Sequence, residues 1–208
     1  MVSARAIDTG MEGFRLWPGA LSVTAQSALL AEVLAAVEQS SFFRPVTPGG
    51  RPFSVEMTNL GPLGWVSDRA GYRYQPLHPD TGQPWPAIPG VLLALWRTVS
   101  GYSHDPEACL VNFYSGGARM GLHRDEDEDD FTAPVLSVSL GDTAIFRIGG
   151  PERGGKTGTL KLNSGDVLVM GGPSRLCYHG IDRVLTGSST LLKDGGRINL
   201  TLRRVTRP

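Results

Sequence analysis

The chain carries only four histidines, His78, His104, His123 and His179, so any imidazole-based site can be enumerated. His123 and Asp125 form an H-x-D pair, and His179 follows 54 residues after the aspartate. In an extended segment, residues two apart project to the same face, so an imidazole and a carboxylate at that spacing can grip one ion, with a third ligand arriving from a distant strand. Two imidazoles and one carboxylate with open positions opposite suit a non-haem Fe(II) centre that handles oxygen. A structural zinc site would instead be closed by four ligands, usually including thiolates. Alone the pattern is weak, because a surface histidine beside an acidic run and a hydrogen-bonded core histidine would give the same letters.

The C-terminal segment adds a second signal. In Arg197-Ile-Asn-Leu-Thr-Leu-Arg203, alternation puts Ile198, Leu200 and Leu202 on one face and Arg197, Asn199, Thr201 and Arg203 on the other. Either the apolar face is the interior and the arginines are solvated, or two arginines enter a polar cavity. Their Cα atoms lie roughly 20 Å apart at about 3.3 Å per residue, so two long arms bending inward can clamp the ends of a short dicarboxylate. Guanidinium groups suit bidentate capture of carboxylates. A metal triad with a two-arginine clamp is the inventory of an oxygenase that uses 2-oxoglutarate, chelated to Fe(II) through its C1 carboxylate and keto oxygen.

The elements that must position these groups are legible in outline. A chain of 208 residues is enough for one well-cored domain. Its 27 Gly and 15 Pro, scattered between short apolar segments, disfavour a helical bundle. Residues 24–39 carry Leu29, Leu30, Val33, Leu34 and Val37 at helical spacing, with Thr24 as the expected N-cap. A second helix fits 89–100, from Pro89 to the stop at Gly101. Between them, 43–89 is rich in Pro, Gly, Trp and Tyr and reads as hairpins and loops forming a recognition surface. After residue 106, seven short runs read as strands: 108–114, 135–140, 144–148, 159–162, 166–170, 176–179 and 197–204. The expected fold is mostly β with flanking helices (α+β), a double-stranded β-helix or jelly roll, as one domain. It divides into an N-terminal helical extension (1–42), a recognition segment (43–89) that the resemblance given below makes a nucleotide-recognition lid, and a helix plus core (90–208).

No apolar run approaches the 18 or more residues a membrane span needs, and the N-terminus lacks the apolar core of a secretion signal. The two cysteines, Cys109 and Cys177, sit in apolar contexts and read as buried, reduced thiols, so a cytoplasmic protein is expected. Nothing resembles an obligate interface, and a monomer is expected. Twenty basic residues face twenty acidic ones, but six acids form the run 125–130, leaving 14 acids against 20 bases elsewhere. A moderately basic remainder suits a polyanion. The run is no calcium loop, because Asp130 falls where Gly is required and Leu136 where the bidentate Glu should be. Asp129 and Asp130 read as a solvated face.

The runs CLVNFYSGGARMGLHRDEDE, PVLSVSLGDTAIFRIGG, SGDVLVMGGPSRLCYHGI and GRINLTLR resemble, in order and spacing, the AlkB family of Fe(II)- and 2-oxoglutarate-dependent nucleic acid demethylases. MTNLGPLGW and GYRYQP resemble that family's substrate lid. The resemblance implies His123, Asp125 and His179 as iron ligands, and Arg197 and Arg203 on the two carboxylates of 2-oxoglutarate, with Asn112, Tyr114 and Asn199 lining that cosubstrate. It implies Trp65 stacking on a flipped base with His123 opposite, Tyr72, Arg73 and Tyr74 contacting the substrate, and Asp127 and Arg153 reading or steering the damaged base. Met170 departs from the Trp of the bacterial family members, which puts oxygen access and local packing in question. The implied reaction is oxidative demethylation of 1-methyladenine and 3-methylcytosine in single-stranded DNA, with duplex DNA and RNA also open. It consumes 2-oxoglutarate and O2 and yields succinate, CO2 and formaldehyde. The rival readings are an oxygenase with the same core acting on a protein, lipid or small molecule, and a jelly-roll binding module without catalysis.

Overall fold

The computed structural model describes residues 5–208. In chain order its elements are β1 (Ile7–Asp8), β2 (Phe14–Trp17), α1 (Val23–Gln39), β3 (Glu56–Leu60), β4 (Gly64–Asp68), β5 (Gly71–Gln75), α2 (Gly90–Val99), β6 (Ala108–Tyr114), β7 (Met120–His123), β8 (Val135–Gly141), β9 (Thr143–Ile148), β10 (Gly158–Leu162), β11 (Val167–Met170), β12 (His179–Leu185) and β13 (Arg197–Arg203). Seven strands form one antiparallel sheet in the order β1-β2-β11-β8-β13-β6-β3, four form a second in the order β10-β9-β12-β7, and β4-β5 is a separate hairpin. These antiparallel sheets are the jelly-roll arrangement expected from the strand pattern.

Both faces of the large sheet are buried, by different partners. Outward, Val111, Val138, Ile198, Leu200 and Leu202 pack against Leu29 and Val33 of α1 and Leu92 and Trp96 of α2. Inward, Leu110, Tyr114, Leu168 and Met170 meet Phe146, Ile148 and Ile181 of the small sheet. Strict alternation along β13 therefore sends Arg197, Asn199, Thr201 and Arg203 to the inner side. Of the two openings left by the sequence, the apolar face of β13 lies under the helices and its polar face lies between the sheets.

The helices are fixed at their ends. The N-cap of α1 is Ser22, whose side chain accepts from the Ala25 amide, rather than Thr24. At the C-terminal end of α2, Arg15 donates Nη2 to the carbonyls of Val99 and Ser100, and Gly101 turns the chain with φ +74°.

Four expectations need correction. The stretch 1–42 is not only helical, because β1 and β2 extend the large sheet by pairing β2 with β11. Within 43–89, β3 pairs with β6 and belongs to the same sheet. The run at 176–179 is displaced: β12 begins at His179, after a turn of 3-10 helix at Gly172–Ser174, and a bulge between Ile181 and Arg183 breaks the alternation that would have marked it. Asp130 is buried, accepting from the Tyr102 hydroxyl at 2.5 Å and from the Thr132 amide and hydroxyl, so it is no solvated acid.

Candidate active site

Strand pairing brings the two histidines together. His123, the last residue of β7, stands directly across the ladder from His179, the first of β12, with ring centroids 4.5 Å apart. Asp125 follows two residues on, its Oδ1 3.7 Å from His123 Nε2 and its Oδ2 3.8 Å from His179 Nε2. One ligand atom from each of the three residues lies within 4.8 Å of the other two. Both rings are oriented from behind: His123 Nδ1 is 2.9 Å from the Gly121 carbonyl and His179 Nδ1 is 3.0 Å from the Cys177 carbonyl. A carbonyl can only accept, so each Nδ1 carries a proton and each Nε2 is turned toward the carboxylate.

The electrostatics hold the group in its metal-ligating form. Burial, and then the neighbouring His123, push the His179 imidazole down to about 4, so it is neutral at ordinary pH. Burial alone would raise the Asp125 carboxyl, but Arg203 first, then His179 and His123, outweigh it and hold the carboxyl well below the usual carboxylate range. Arg203 donates Nε at 3.1 Å and Nη2 at 2.8 Å to Asp125 Oδ2.

These groups lie in a cavity of about 410 Å³. Its polar wall includes Asn112, Tyr114, Asn199, Thr201 and Arg203, and its apolar wall Leu110, Phe146, Leu168, Met170 and Ile181. Asn112 Oδ1 is buried without a hydrogen-bond partner among the described residues. At the mouth, Trp65 donates its indole N–H to Asp127 Oδ2 at 2.7 Å and stacks on Tyr72 with centroids 5.6 Å apart. Arg124 and Arg153 complete the rim, with Arg124 over the Tyr178 ring.

Of the residues singled out in the sequence, twelve line this one cavity and two do not. Arg73 turns back within the hairpin to Asp68, at 2.8 Å, and to Gln75. Arg197 is fully buried behind Asn199, spending its two terminal nitrogens on Ser139 Oγ, Asn199 Oδ1 and the carbonyls of Asp142 and Leu162. Its Nε has no partner, and burial lowers the guanidinium to about 10, still charged at neutral pH. Tyr74 lines the cavity, but its hydroxyl donates to Glu128.

Sequence reasoning missed Glu128 and Arg175. They form a buried ion pair at 2.9 Å, and Arg175 also donates Nη1 to the Asp125 carbonyl and Nε to the Ala133 carbonyl. A lone arginine among the small and apolar residues of PSRLCY was the available signal. The cysteines are buried as expected, and burial pushes the Cys109 thiol up to about 12 and raises that of Cys177.

Two antiparallel sheets with two imidazoles and a carboxylate converging between them define a class, and the comparisons name it. Residues 13–203 match the model of the 2OG-Fe(II) oxygenase superfamily, the dioxygenases that use Fe(II) and 2-oxoglutarate. The chain is 56% identical over 196 residues to the alpha-ketoglutarate-dependent dioxygenase AlkB homolog of Caulobacter vibrioides, covering 94% of this chain and 89% of that one. It is 46% identical over 184 residues to alpha-ketoglutarate-dependent dioxygenase AlkB of Escherichia coli, covering 86% and 85% respectively. The solved structure of OsALKBH1 superposes with a TM-score of 0.80 at 29% identity, over 96% of this chain and 100% of that one. The chain belongs to the AlkB family of 2OG-Fe(II) dioxygenases. Among the described residues, no helix is long and apolar enough to cross a membrane.

Proposed function

We propose that this enzyme removes methyl groups from ring nitrogens of nucleobases, acting on 1-methyladenine and 3-methylcytosine in single-stranded DNA, and that duplex DNA and RNA are further substrates. Its role is the direct reversal of alkylation damage. The observation that carries this reading is the pairing of an aromatic ring with a carboxylate, Trp65 with Asp127, at the mouth of the cavity that holds His123, Asp125 and His179. A base methylated on its Watson-Crick edge is cationic, flat and unable to pair normally. A π face and a carboxylate favour the charge and the shape, and the lost pairing lowers the few kcal/mol that flipping costs.

In this reading His123, Asp125 and His179 hold Fe(II), each imidazole through the Nε2 that its carbonyl-bound Nδ1 leaves available. Arg203, Asn112, Tyr114 and Asn199 hold 2-oxoglutarate, with Arg197 supporting Asn199 from behind. The donor set fits these groups: two imidazole nitrogens, one carboxylate, and a polar wall bearing the Arg203 guanidinium and the Tyr114 hydroxyl as donors. Bound Fe(II) supplies the oxidation, in which 2-oxoglutarate and O2 become succinate and CO2 while the N-methyl group gains one oxygen and leaves as formaldehyde. The protein's own residues do the rest. Trp65 and the His123 ring flank the base, Asp127 faces its cationic edge, and Arg124, Arg153 and Tyr72 meet the phosphates and sugar at the rim. The apolar wall keeps water from the reacting methyl group.

Product stoichiometry tests the proposal. With Fe(II), 2-oxoglutarate and air, an oligonucleotide carrying 1-methyladenine should yield succinate and formaldehyde in equal amounts. Its affinity should fall as salt rises, because phosphate contacts release counterions. Succinate without formaldehyde would keep the dioxygenase and reject the substrate.

A further inference from the structure

One buried charge network touches the site without being needed for the roles assigned above. Glu128 is 1% exposed in its side chain and Arg175 3%. Glu128 Oε2 accepts from Arg175, which holds the main chain of Asp125 through its carbonyl at 2.7 Å. Glu128 Oε1 accepts from the Tyr74 hydroxyl of β5 and lies 3.4 Å from Arg203 Nε. Arg203 in turn holds the Asp125 side chain. A single carboxylate thus connects the β4–β5 hairpin, which carries Trp65 and Tyr72, to the backbone of one proposed iron ligand and to the arginine of the cosubstrate wall.

Two arginines and two carboxylates leave this quartet neutral, and a divalent cation with a dicarboxylate adds no net charge. Losing any one member would strand an uncompensated charge away from water. Glu128 also decides how Arg203 is shared. The guanidinium meets only one oxygen of Asp125, with Nε drawn toward Glu128, and its Nη1 makes no hydrogen bond to the described residues although the side chain lines the cavity. By drawing Nε toward itself, Glu128 opposes a two-pronged pairing of Nε and Nη2 with both oxygens of Asp125, which would occupy the second carboxylate oxygen.

We propose that Glu128 is a positioning residue that joins Tyr74 to Arg203, so that the seated β4–β5 hairpin and the 2-oxoglutarate-binding form of Arg203 stabilise each other. The proposal rests on the assignment of Arg203 to 2-oxoglutarate. Because coupling between two events is reciprocal, binding of 2-oxoglutarate must seat the hairpin by the same factor that the seated hairpin tightens 2-oxoglutarate.

The test uses the full chain loaded with Zn(II), which is redox-inert, and Tyr74→Phe, which keeps the ring and removes only the donor to Glu128. Calorimetry gives the 2-oxoglutarate affinity, and hydrogen exchange follows the amides of 64–75. In the unaltered protein 2-oxoglutarate should slow hairpin exchange by at least about fivefold. In Tyr74→Phe that slowing should vanish and 2-oxoglutarate should bind more weakly by a similar factor. A purely structural role for Tyr74 would raise hairpin exchange with and without 2-oxoglutarate alike and keep the slowing, which would overturn the proposal. So would unaltered protein whose hairpin exchange ignores 2-oxoglutarate. Arg203→Ala separates the two layers: 2-oxoglutarate binding as tight as in the unaltered protein would overturn the assignment of Arg203 itself, whereas lost binding there with unchanged coupling in Tyr74→Phe would overturn only the role of Glu128.

Discussion

Arg203 sets Nε and Nη2 on the same oxygen of Asp125, Oδ2, at 3.1 and 2.8 Å, while Oδ1 lies 3.7 Å from His123 Nε2. The carboxylate is therefore held from one side and offered from the other. A lysine at 203 would keep the positive charge but lose the fork that serves Asp125 and still has a nitrogen to spare. Arg203→Lys should raise KM for 2-oxoglutarate by about tenfold or more, the scale of one lost charge-assisted hydrogen bond, with a smaller effect on KM for the oligonucleotide. Steady-state kinetics with each substrate varied in turn checks this, and an unchanged KM for 2-oxoglutarate would mean that Arg203 serves Asp125 alone.

Asp127 is exposed at the mouth and accepts from the Trp65 indole. Asp127→Asn keeps an acceptor for that N–H and removes the charge. It should raise KM for a 1-methyladenine oligonucleotide about tenfold, the effect of roughly 1.4 kcal/mol at a partly wet site, with KM for 2-oxoglutarate unchanged. Equal loss for both substrates would place Asp127 in the folding of the site instead of in recognition.

The depressed His179 imidazole makes the metal-free protein acid-sensitive in a defined window. Its folded value is about 4 against 6.5 for the free group, so below pH 6.5 the unfolded chain takes up a proton that the folded chain refuses. Stability should fall as pH drops from about 6.5 to 4 and gain no further loss from this group below that, a total of roughly 3 kcal/mol. The Asp125 carboxyl acts lower down: its stabilisation is present above the ordinary carboxylate value and is lost as pH falls beneath it. Urea unfolding of metal-free protein across pH 4 to 7 measures the slope, which should flatten in His179→Gln.

Gly180 follows His179 in β12 and packs against the backbone of β7, the strand that carries His123. A Cβ there would stand 2.6 Å from the Met120 carbonyl oxygen and 2.7 Å from that of Gly121, both backbone atoms of β7. Gly180→Ala must push β7 away from β12 and spread His123 from His179. It should cost about 1–3 kcal/mol in stability and weaken Co(II) binding in an equilibrium titration, whereas Gly90→Ala, which meets nothing within 4 Å at the start of α2, should not affect the metal.

The parts of this protein that were legible in its sequence are those where apolar and polar residues fall on different faces of one element. Alternation in β13 and β6 and the helical stripe of α2 read directly, because apolar and polar positions there sort by period. Strands β2 and β7 escaped, and the bulge at Ile181–Arg183 broke the alternation of β12 beyond its start at His179. In the acidic run Asp125 was expected at the site and Asp129 on the surface, whereas Asp130 was misread as solvated and Glu128 was passed over. Asp125, Glu128 and Asp130 are buried and partnered by Arg203, Arg175 and Tyr102, none of them near the run in sequence. Charge pattern alone cannot reveal such partners, so Glu128 stayed hidden although its spacing from Asp125 was in view. Arg73 and Arg197 show the converse. Residue type and position suggested a place at the site; Arg73 pairs with Asp68, and Arg197 with Ser139 and Asn199, and neither lines the cavity.

The proposed demethylation requires His123, Asp125 and His179 together with Arg203. The direct measurement is the mass of a single-stranded oligonucleotide bearing one 1-methyladenine, after anaerobic loading of the protein with Fe(II) and 2-oxoglutarate and admission of air. The mass should fall by one methylene unit with the unaltered protein and stay constant with His123→Ala and with Arg203→Ala. Constant mass with fully iron-loaded, unaltered protein, or loss of the methyl group by His123→Ala, would contradict it.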